Sequence, residues 1–397
     1  MLHTHTRTEG LFPPIKKNRT DLVWVAIMFV LIAMAVWALR TTSLPALLNN
    51  LIPVQQGTER GSTAANRTQA LPNFEQKTQA LVASDSVEAF QALLLSFKEN
   101  EPLSQRHIVL AALQGASPAV VPVLMTALTD ADPSVRAGAA QLLGMRHEYQ
   151  AIAALTEATR DPQAKVRLQA IKALGAIDAW QVLPRVEQLQ VDEPNYAVRQ
   201  AAAAAEETFR GNMAQAIGVS TIQLRDISVT PTGSPQIYAV TASDLYARHG
   251  ARWELVSRLP DAPLAMATGA EPQLIYLATV SSGLYRSLDS GETWEHVQFG
   301  LQTPTQLTVT AVVVDPQNSR RVYIALAAQN AQSGVKDALG IFASRDGGGT
   351  FILLPDSLSG VITTRLIMDS QSEGYLVGMA AESPWRYTLP SNASDPQ

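Results

Sequence analysis

Four arginines, Arg106, Arg136, Arg167 and Arg199, recur along this chain at intervals of 30, 31 and 32 residues. A period of that length confines the fold to stacked units. A unit of about 31 residues cannot bury its own apolar face and must lean on its neighbours. The residues around the arginines recur with them. Asp130, Val135, Arg136, Ala139 and Gly144 return as Asp161, Val166, Arg167, Ala170 and Gly175, and in part as Val198, Arg199 and Ala202. Gln105-Arg106 opens a weaker, earlier copy. From Phe74 to Ala214 helix formers dominate with an apolar period near 3.6, so 74–214 is expected to be an α-α solenoid. At the turns, Asp can cap a helix and Pro suits its first turn. Ala139, Ala170 and Ala202, three positions after the last three arginines, let helices approach closely.

The Asp–x–Val-Arg–x–x–Ala–x–x–Leu-Gly pattern resembles HEAT repeats of the type found in phycobilisome lyases, over about 110 residues. The last unit departs from it, with Glu207 where the glycine would fall, and is expected to be a terminal capping repeat. The resemblance implies that Arg136, Arg167 and Arg199 pair with turn carboxylates such as Asp130 and Asp161 and serve the fold. The competing reading is a row of arginines that binds an anion. Lyase activity is not carried over, because that reaction needs cytoplasmic phycobiliprotein clients and the topology expected below opposes this.

Near Ile222 the pattern changes to short β-rich runs with turn clusters, and 222–390 is expected to be all-β. Ser287, Asp289, Gly291, Thr293 and Trp294 form one S-x-D-x-G-x-T-W hairpin, and Ser344, Asp346, Gly348, Thr350 and Phe351 form a second with Phe for Trp. Tyr246 to Trp253 is a degenerate copy that lacks the Asp, and a set at Tyr375–Val377 lacks the box. Ile237-Tyr238-Ala239, Ile275-Tyr276-Leu277-Ala278 and Val322-Tyr323-Ile324-Ala325 are matching strands upstream. In the box the Asp accepts bonds from the turn, Gly supplies a positive φ and the aromatic plugs the sheet. It is a folding motif. These residues resemble the Asp-box repeats of sialidases, sortilin-type receptors and photosystem II assembly factors. That resemblance implies a β-propeller, here of about four blades, closed or incomplete. Residues 327–339 stand out as an insertion in the third blade.

Ahead of both arrays, Leu22 to Leu39 is apolar without a charge or strong breaker. Eighteen helical residues span about 27 Å, close to a bilayer core of about 30 Å. Trp24 and Trp37 lie near its ends. Arg7, Lys16, Lys17 and Arg19 precede it, whereas Arg40 alone follows before Arg60. The positive-inside rule then expects a cytoplasmic tail at 1–21, a transmembrane helix at 22–39, a linker at 40–73 and the bulk of the chain outside, ending in a tail at 391–397. A cleaved signal peptide is disfavoured because the apolar run exceeds the usual h-region.

A net charge of −5 lowers the expectation of a nucleic-acid partner, and the absence of cysteine excludes a thiol nucleophile or a disulfide framework. His3, His5, His107, His147, His249 and His296 show no ligand-pair spacing beyond the N-terminal tail, and Gly347-Gly348-Gly349 opens no helix and so is no phosphate loop. No catalytic, cofactor-binding or metal-ligating residue is assigned. The expected function is a membrane-anchored, non-enzymatic scaffold or assembly factor, with lipid and another membrane protein or complex as partners. The alternative is an extracytoplasmic glycan-binding or sialidase-like protein, for which Arg258-Leu-Pro260 is a faint arginine signal. A cluster of Arg, Tyr and carboxylate around one pocket of the β region would favour it.

Overall fold

The computed structural model describes residues 73–98, 102–232, 235–299, 307–329, 336–355, 357, 360–368, 375–380 and 383–389. The expected anchor at 22–39, the tails and nearly all of the linker lie outside the described residues. Among the described residues, no helix is long and apolar enough to cross a membrane.

The helical region comprises α1 (73–83), α2 (Val87–Leu94), α3 (Leu103–Gln114), α4 (Val120–Ala127), α5 (Pro133–Met145), α6 (Ile152–Ala158), α7 (Ala164–Ile177), α8 (Leu183–Asp192) and α9 (Tyr196–Ile217). From α2 onward these pair as helical hairpins, and α3, α5, α7 and α9 stack in order. Local chemistry sets the boundaries. Asp132 caps α5 by accepting from the Ser134 amide at 2.7 Å, with Pro133 at the first helical position. Asn195 does the same for α9, which ends at Gly218 with φ +86°. Val135, Val166 and Val198 are buried, as are Ala139, Ala170 and Ala202. Gly144 is required by contact: a Cβ there would stand 2.6 Å from the Ala173 Cα on the neighbouring helix.

The β region is four antiparallel sheets, each a meander. Blade 1 holds β1 (Asp226–Val229), β2 (Ile237–Val240), β3 (Asp244–His249) and β4 (Arg252–Arg258). Blade 2 holds β5 (Pro263–Thr268), β6 (Ile275–Thr279), β7 (Leu284–Ser287) and β8 (Glu295–Val297). Blade 3 holds β9 (Leu307–Asp315), β10 (Asn318–Gln329), β11 (Lys336–Ser344) and β12 (Ile352–Leu353). Blade 4 has three strands, β13 (Thr363–Met368), β14 (Tyr375–Ala380) and β15 (Ser383–Thr388). The first strands β1, β5, β9 and β13 line a central cavity of about 440 Å³, a propeller-like arrangement.

Two differences from the sequence reading follow from tertiary packing. The last helical hairpin ends the stack, as a terminal repeat should, but it is itself covered by the sheets. One apolar core runs from Phe90 through Phe209 into Ile227, Val229, Ile237 and Ala239 of blade 1. In addition, α8 packs on β1 and on all three strands of blade 4, where Val191 meets Ile367 and Val377. The helix thus stands between the first and last sheets, a place that the sequence reading left open to closure or to another chain. The expected blade-three insertion is also largely strand. Ala327 pairs with Ala338, Ala328 with Asp337 and Gln329 with Lys336, which extends the β10–β11 hairpin.

Candidate functional site

The repeated arginines form a ladder. Arg136 Nη1 donates to the carbonyls of Asp130 and Ala131 at 2.8 and 3.1 Å, in its own turn. Its Nε and Nη2 close on the Asp161 carboxylate of the next turn at 2.6 and 2.9 Å. Arg167 repeats this, bonding Asp161 O and Pro162 O at 2.8 and 3.1 Å and the Glu193 carboxylate at 2.8 and 2.5 Å. Burial alone would raise the Asp161 and Glu193 carboxyls, but the arginines outweigh it and hold both below their ordinary values. Each acid also accepts an amide two residues on, Gln163 N at 2.8 Å or Asn195 N at 2.9 Å. Glu193 is a rung that the sequence reading missed. It stands at the position of Asp130 and Asp161 but is a glutamate, separated from the recognisable third copy. Asp130 itself accepts the Asp132 amide at 2.7 Å and no arginine side chain among the described residues, because Arg106 turns instead to the Lys98 carbonyl at 2.6 Å.

The two Asp-boxes are near copies in space. Ser287 Oγ donates to Asp289 at 2.7 Å and accepts the Gly291 amide at 2.7 Å; the corresponding Ser344 bonds to Asp346 and from Gly348 are both 2.8 Å. Asp289 and Asp346 each accept the amide and hydroxyl of Thr293 or Thr350. The Thr293 and Ser287 bonds hold the Asp289 carboxyl down at about 2. For Asp346 some burial opposes the same bonds, which still prevail at about 2. The boxes fasten blade to blade. Gly291 has φ +94°, and a Cβ there would lie 2.1 Å from Leu245 of blade 1. Ser257 of blade 1 donates to Gly291 O at 2.6 Å and receives Trp294 Nε1 at 3.4 Å. The second box sits on blade 2, where Tyr276 Oη donates to Gly347 O at 2.8 Å. Phe351 is buried and packs edge-on to Phe299 with centroids 5.6 Å apart, whereas Trp294 is only half-buried between blades 1 and 2. In the degenerate copy, Arg248 lies over the Trp180 ring at 4.8 Å and Trp253 packs on the shared core, so that hairpin faces the helices.

The densest charge cluster lies where the helices meet the sheets. Arg365 of β13 donates through Nη2 to Glu187 of α8 at 2.6 Å and to Glu206 of α9 at 3.0 Å. Gln190 holds the second oxygen of Glu206 at 2.5 Å, and Arg210 donates to Leu224 O at 2.8 Å. Asp226 accepts the Met266 and Ile227 amides at 2.7 and 2.8 Å. Burial pushes Glu187 up to about 7 even though Arg365 pulls it down. Glu206 is held low because Arg365 and Gln190 overcome its burial. Burial raises Asp226. Glu187, Asp226, Arg210, Arg225 and Arg365 line the central cavity, but no tyrosine does among the described residues. Arg258 lies elsewhere, on β4, with its side chain 89% exposed. The cluster is a seam that joins helices to sheets; two of its three arginines are already bonded. Among the described residues, no group of three or more His, Asp or Glu side chains could hold a metal.

Residues 87–164 and 121–206 match the HEAT repeats family. No curated protein matches the chain. Among solved structures, the GH74 enzyme of Niastella koreensis is 16% identical with a TM-score of 0.33, covering 43% of this chain and 29% of its own. The chain therefore spans less than a third of that enzyme. YCF48 from Cyanidioschyzon merolae is 16% identical with a TM-score of 0.32, covering 42% of this chain and 51% of its own. The CpcE and CpcF complex of phycocyanin lyase from Nostoc sp. PCC7120 is 20% identical with a TM-score of 0.27, covering 43% of this chain and 74% of the other. Likeness at this level carries nothing about activity. What the chain is similar to by family is HEAT repeats, over its helical region alone.

Proposed function

We propose that this chain is a non-enzymatic interaction scaffold or assembly factor, anchored in a membrane by residues 22–39 with its bulk on the extracytoplasmic side. The observation that carries the reading is the shared core. A helical-repeat stack and four sheets are fused through α8 and α9, so two different surfaces are held in one fixed relation. The motif residues with polar side chains are engaged in making that body: the arginines in rungs, the boxes between blades and Arg365 in the seam. Rigid presentation lowers the ordering cost of binding, and a membrane tether raises the effective concentration of partners in the same bilayer. The apolar run with its upstream basic residues supports the anchor and its orientation.

The test is affinity capture of the detergent-solubilised full chain from its own membranes, with the companions identified, alongside a glycoside-hydrolysis assay. A reproducible membrane-protein companion and no turnover are expected. Hydrolysis of a sialoside, or purification with no companion, would overturn the reading in favour of a glycan-directed protein. A reporter active only outside the cytoplasm, fused after Gln397, tests the orientation; an inactive reporter sinks it.

A further inference from the structure

The arginine ladder ends on a rung with no acid in it. Arg136 and Arg167 are held identically, with Nη1 on two carbonyls of their own turn and the Nε–Nη2 edge on a carboxylate of the next. Arg199 reproduces the first half, since Nη1 donates to Glu193 O at 2.7 Å and Pro194 O at 3.0 Å. Its other edge meets no carboxylate among the described residues. The acids of the ladder, Asp130, Asp161 and Glu193, fall 31 and 32 residues apart, so the next is due near residue 225. The chain has by then entered β1, and Asp226 is turned to the Ile227 and Met266 amides. The β region therefore removes the acid that would close the last rung.

The open edge is flanked by an aromatic surface. Tyr196, 64% exposed, places its ring 5.7 Å from the Arg199 guanidinium carbon, and Gln200 donates to its hydroxyl. A planar fork fixed by two carbonyl bonds and backed by a ring matches a carboxylate in two places at once. The filled rungs show that fit in this same protein, at 2.5–2.9 Å.

We propose that the free edge of Arg199, with Tyr196, docks an Asp or Glu side chain of a partner protein in the position that Asp161 and Glu193 occupy on the two preceding rungs. The site gives chemistry to the scaffold reading and rests on it for a biological partner. One such contact is worth about 3–10-fold in affinity, so it acts as a register pin within a larger interface.

The test titrates the detergent-solubilised full chain, with ¹⁵N-labelled arginine, with a hexaglutamate peptide and with hexaglutamine as control. Hexaglutamate alone is expected to shift the Arg199 Nε–H resonance. Arg199→Gln is expected to weaken binding about 3–10-fold and Arg199→Lys nearly as much, because an ammonium lacks the planar edge. Arg258→Gln, at an exposed arginine on β4, is expected to leave binding unchanged. Equal loss in Arg258→Gln, no effect of Arg199→Gln, or Arg199-dependent binding of phosphatidylglycerol vesicles without peptide binding would each overturn the site. Should the Arg199 variants unfold by circular dichroism, the wild-type resonance shift decides. Companion capture that survives Arg199→Gln overturns this site and leaves the scaffold standing. Absence of any companion to the wild type overturns the scaffold, while the peptide titration still judges the site.

Discussion

Arg365 on β13 donates to Glu187 on α8 at 2.6 Å, across a separation of 178 residues in sequence. The same guanidinium reaches Glu206 on α9, so one side chain ties two helices of the stack to the last sheet. Arg365→Gln leaves two carboxylates in a desolvated seam without their cation. The expected loss is about 3 kcal/mol, near the low end for a broken buried pair because the arginine keeps some solvent contact. In a background with Trp24, Trp37 and Trp180 changed to Phe, which leaves tryptophans only in the sheets, circular dichroism and tryptophan fluorescence should then report separate urea midpoints. Coincident, unshifted midpoints would show the seam to be incidental.

A pH dependence follows from the same seam. Glu187 sits at about 7 in the folded protein against an ordinary 4.5, because burial penalises its charge more than Arg365 favours it. The folded state thus holds a proton that the unfolded state releases. The resulting stability is fully present below about pH 4.5 and is lost as pH rises through about 7, amounting to about 1–3 kcal/mol. Glu206 is shifted the other way, so its contribution is present above pH 4.5 and fades only in acid. Arg365, Glu206, Asp226 and Arg210 are the charges facing Glu187. Between pH 5 and 7, urea unfolding of the wild type should show falling stability. The Glu187→Gln variant should be flatter; an equal slope in both would remove Glu187 as the cause.

The two box aromatics should differ. Phe351 is buried, and Phe351→Ala is expected to cost about 3–5 kcal/mol. Trp294 is half-buried, so Trp294→Ala is expected to cost less, about 1–3 kcal/mol, and to loosen the junction of blades 1 and 2. Asp289→Ala and Asp346→Ala are expected to lower stability by removing the turn's acceptor. Thermal unfolding of the four variants checks the order. A Trp294 variant less stable than the Phe351 variant would reverse it.

Within the ladder, Arg167→Ala removes the cation from Glu193, whose side chain is 4% exposed. Only the Asn195 amide and more distant charges then remain to it, and about 3 kcal/mol is expected to be lost. Arg106→Ala, at an arginine that joins no acid, should lose much less. Similar melting points for the two variants would mean that the rungs do not couple neighbouring repeats.

The features legible in the sequence are those written within a few residues. Val135, Arg136 and Gly144 announce a repeat because a helical unit recurs in order, and Asp289 with Gly291 and Thr293 announces a turn because that turn bonds to itself. That the repeated arginines pair with turn carboxylates came from resemblance, without saying which acid meets which arginine, and Glu193 was hidden by a change of acid and a longer interval. Arg365, Glu187 and Glu206 were invisible because 159 and 178 residues separate the partners. The half-burial of Trp294 was unreadable for a related reason: the neighbouring blade, not the hairpin, decides how much of the ring is covered. Nor could local pattern show that α9 ends against sheets, since Glu207 reads equally well as the edge of a free cap.

The hairpin of blade 3 separates a structural segment from a candidate contact. Residues 327–339 read as an insertion in the third blade, yet Ala327 is 1% exposed and Leu339 packs on the core of blades 2 and 3. Their register, Ala327 with Ala338 and Gln329 with Lys336, means that deleting the whole stretch removes ladder bonds and buried side chains together. Deletion of 327–339 is therefore expected to destabilise the β region and to reduce companion capture through misfolding. Replacing 330–335 alone with Asn-Gly keeps the paired residues and supplies a two-residue turn suited to strand twist. That variant should melt within about 2 °C of the wild type, since every paired residue of the hairpin is kept and changes that spare packed groups usually stay within about 0.5 kcal/mol. If residues 330–335 contact a partner, capture falls while the melting point holds. Undiminished capture by the Asn-Gly variant would exclude residues 330–335 and leave the solenoid face, where Arg199 lies, as the contact to pursue.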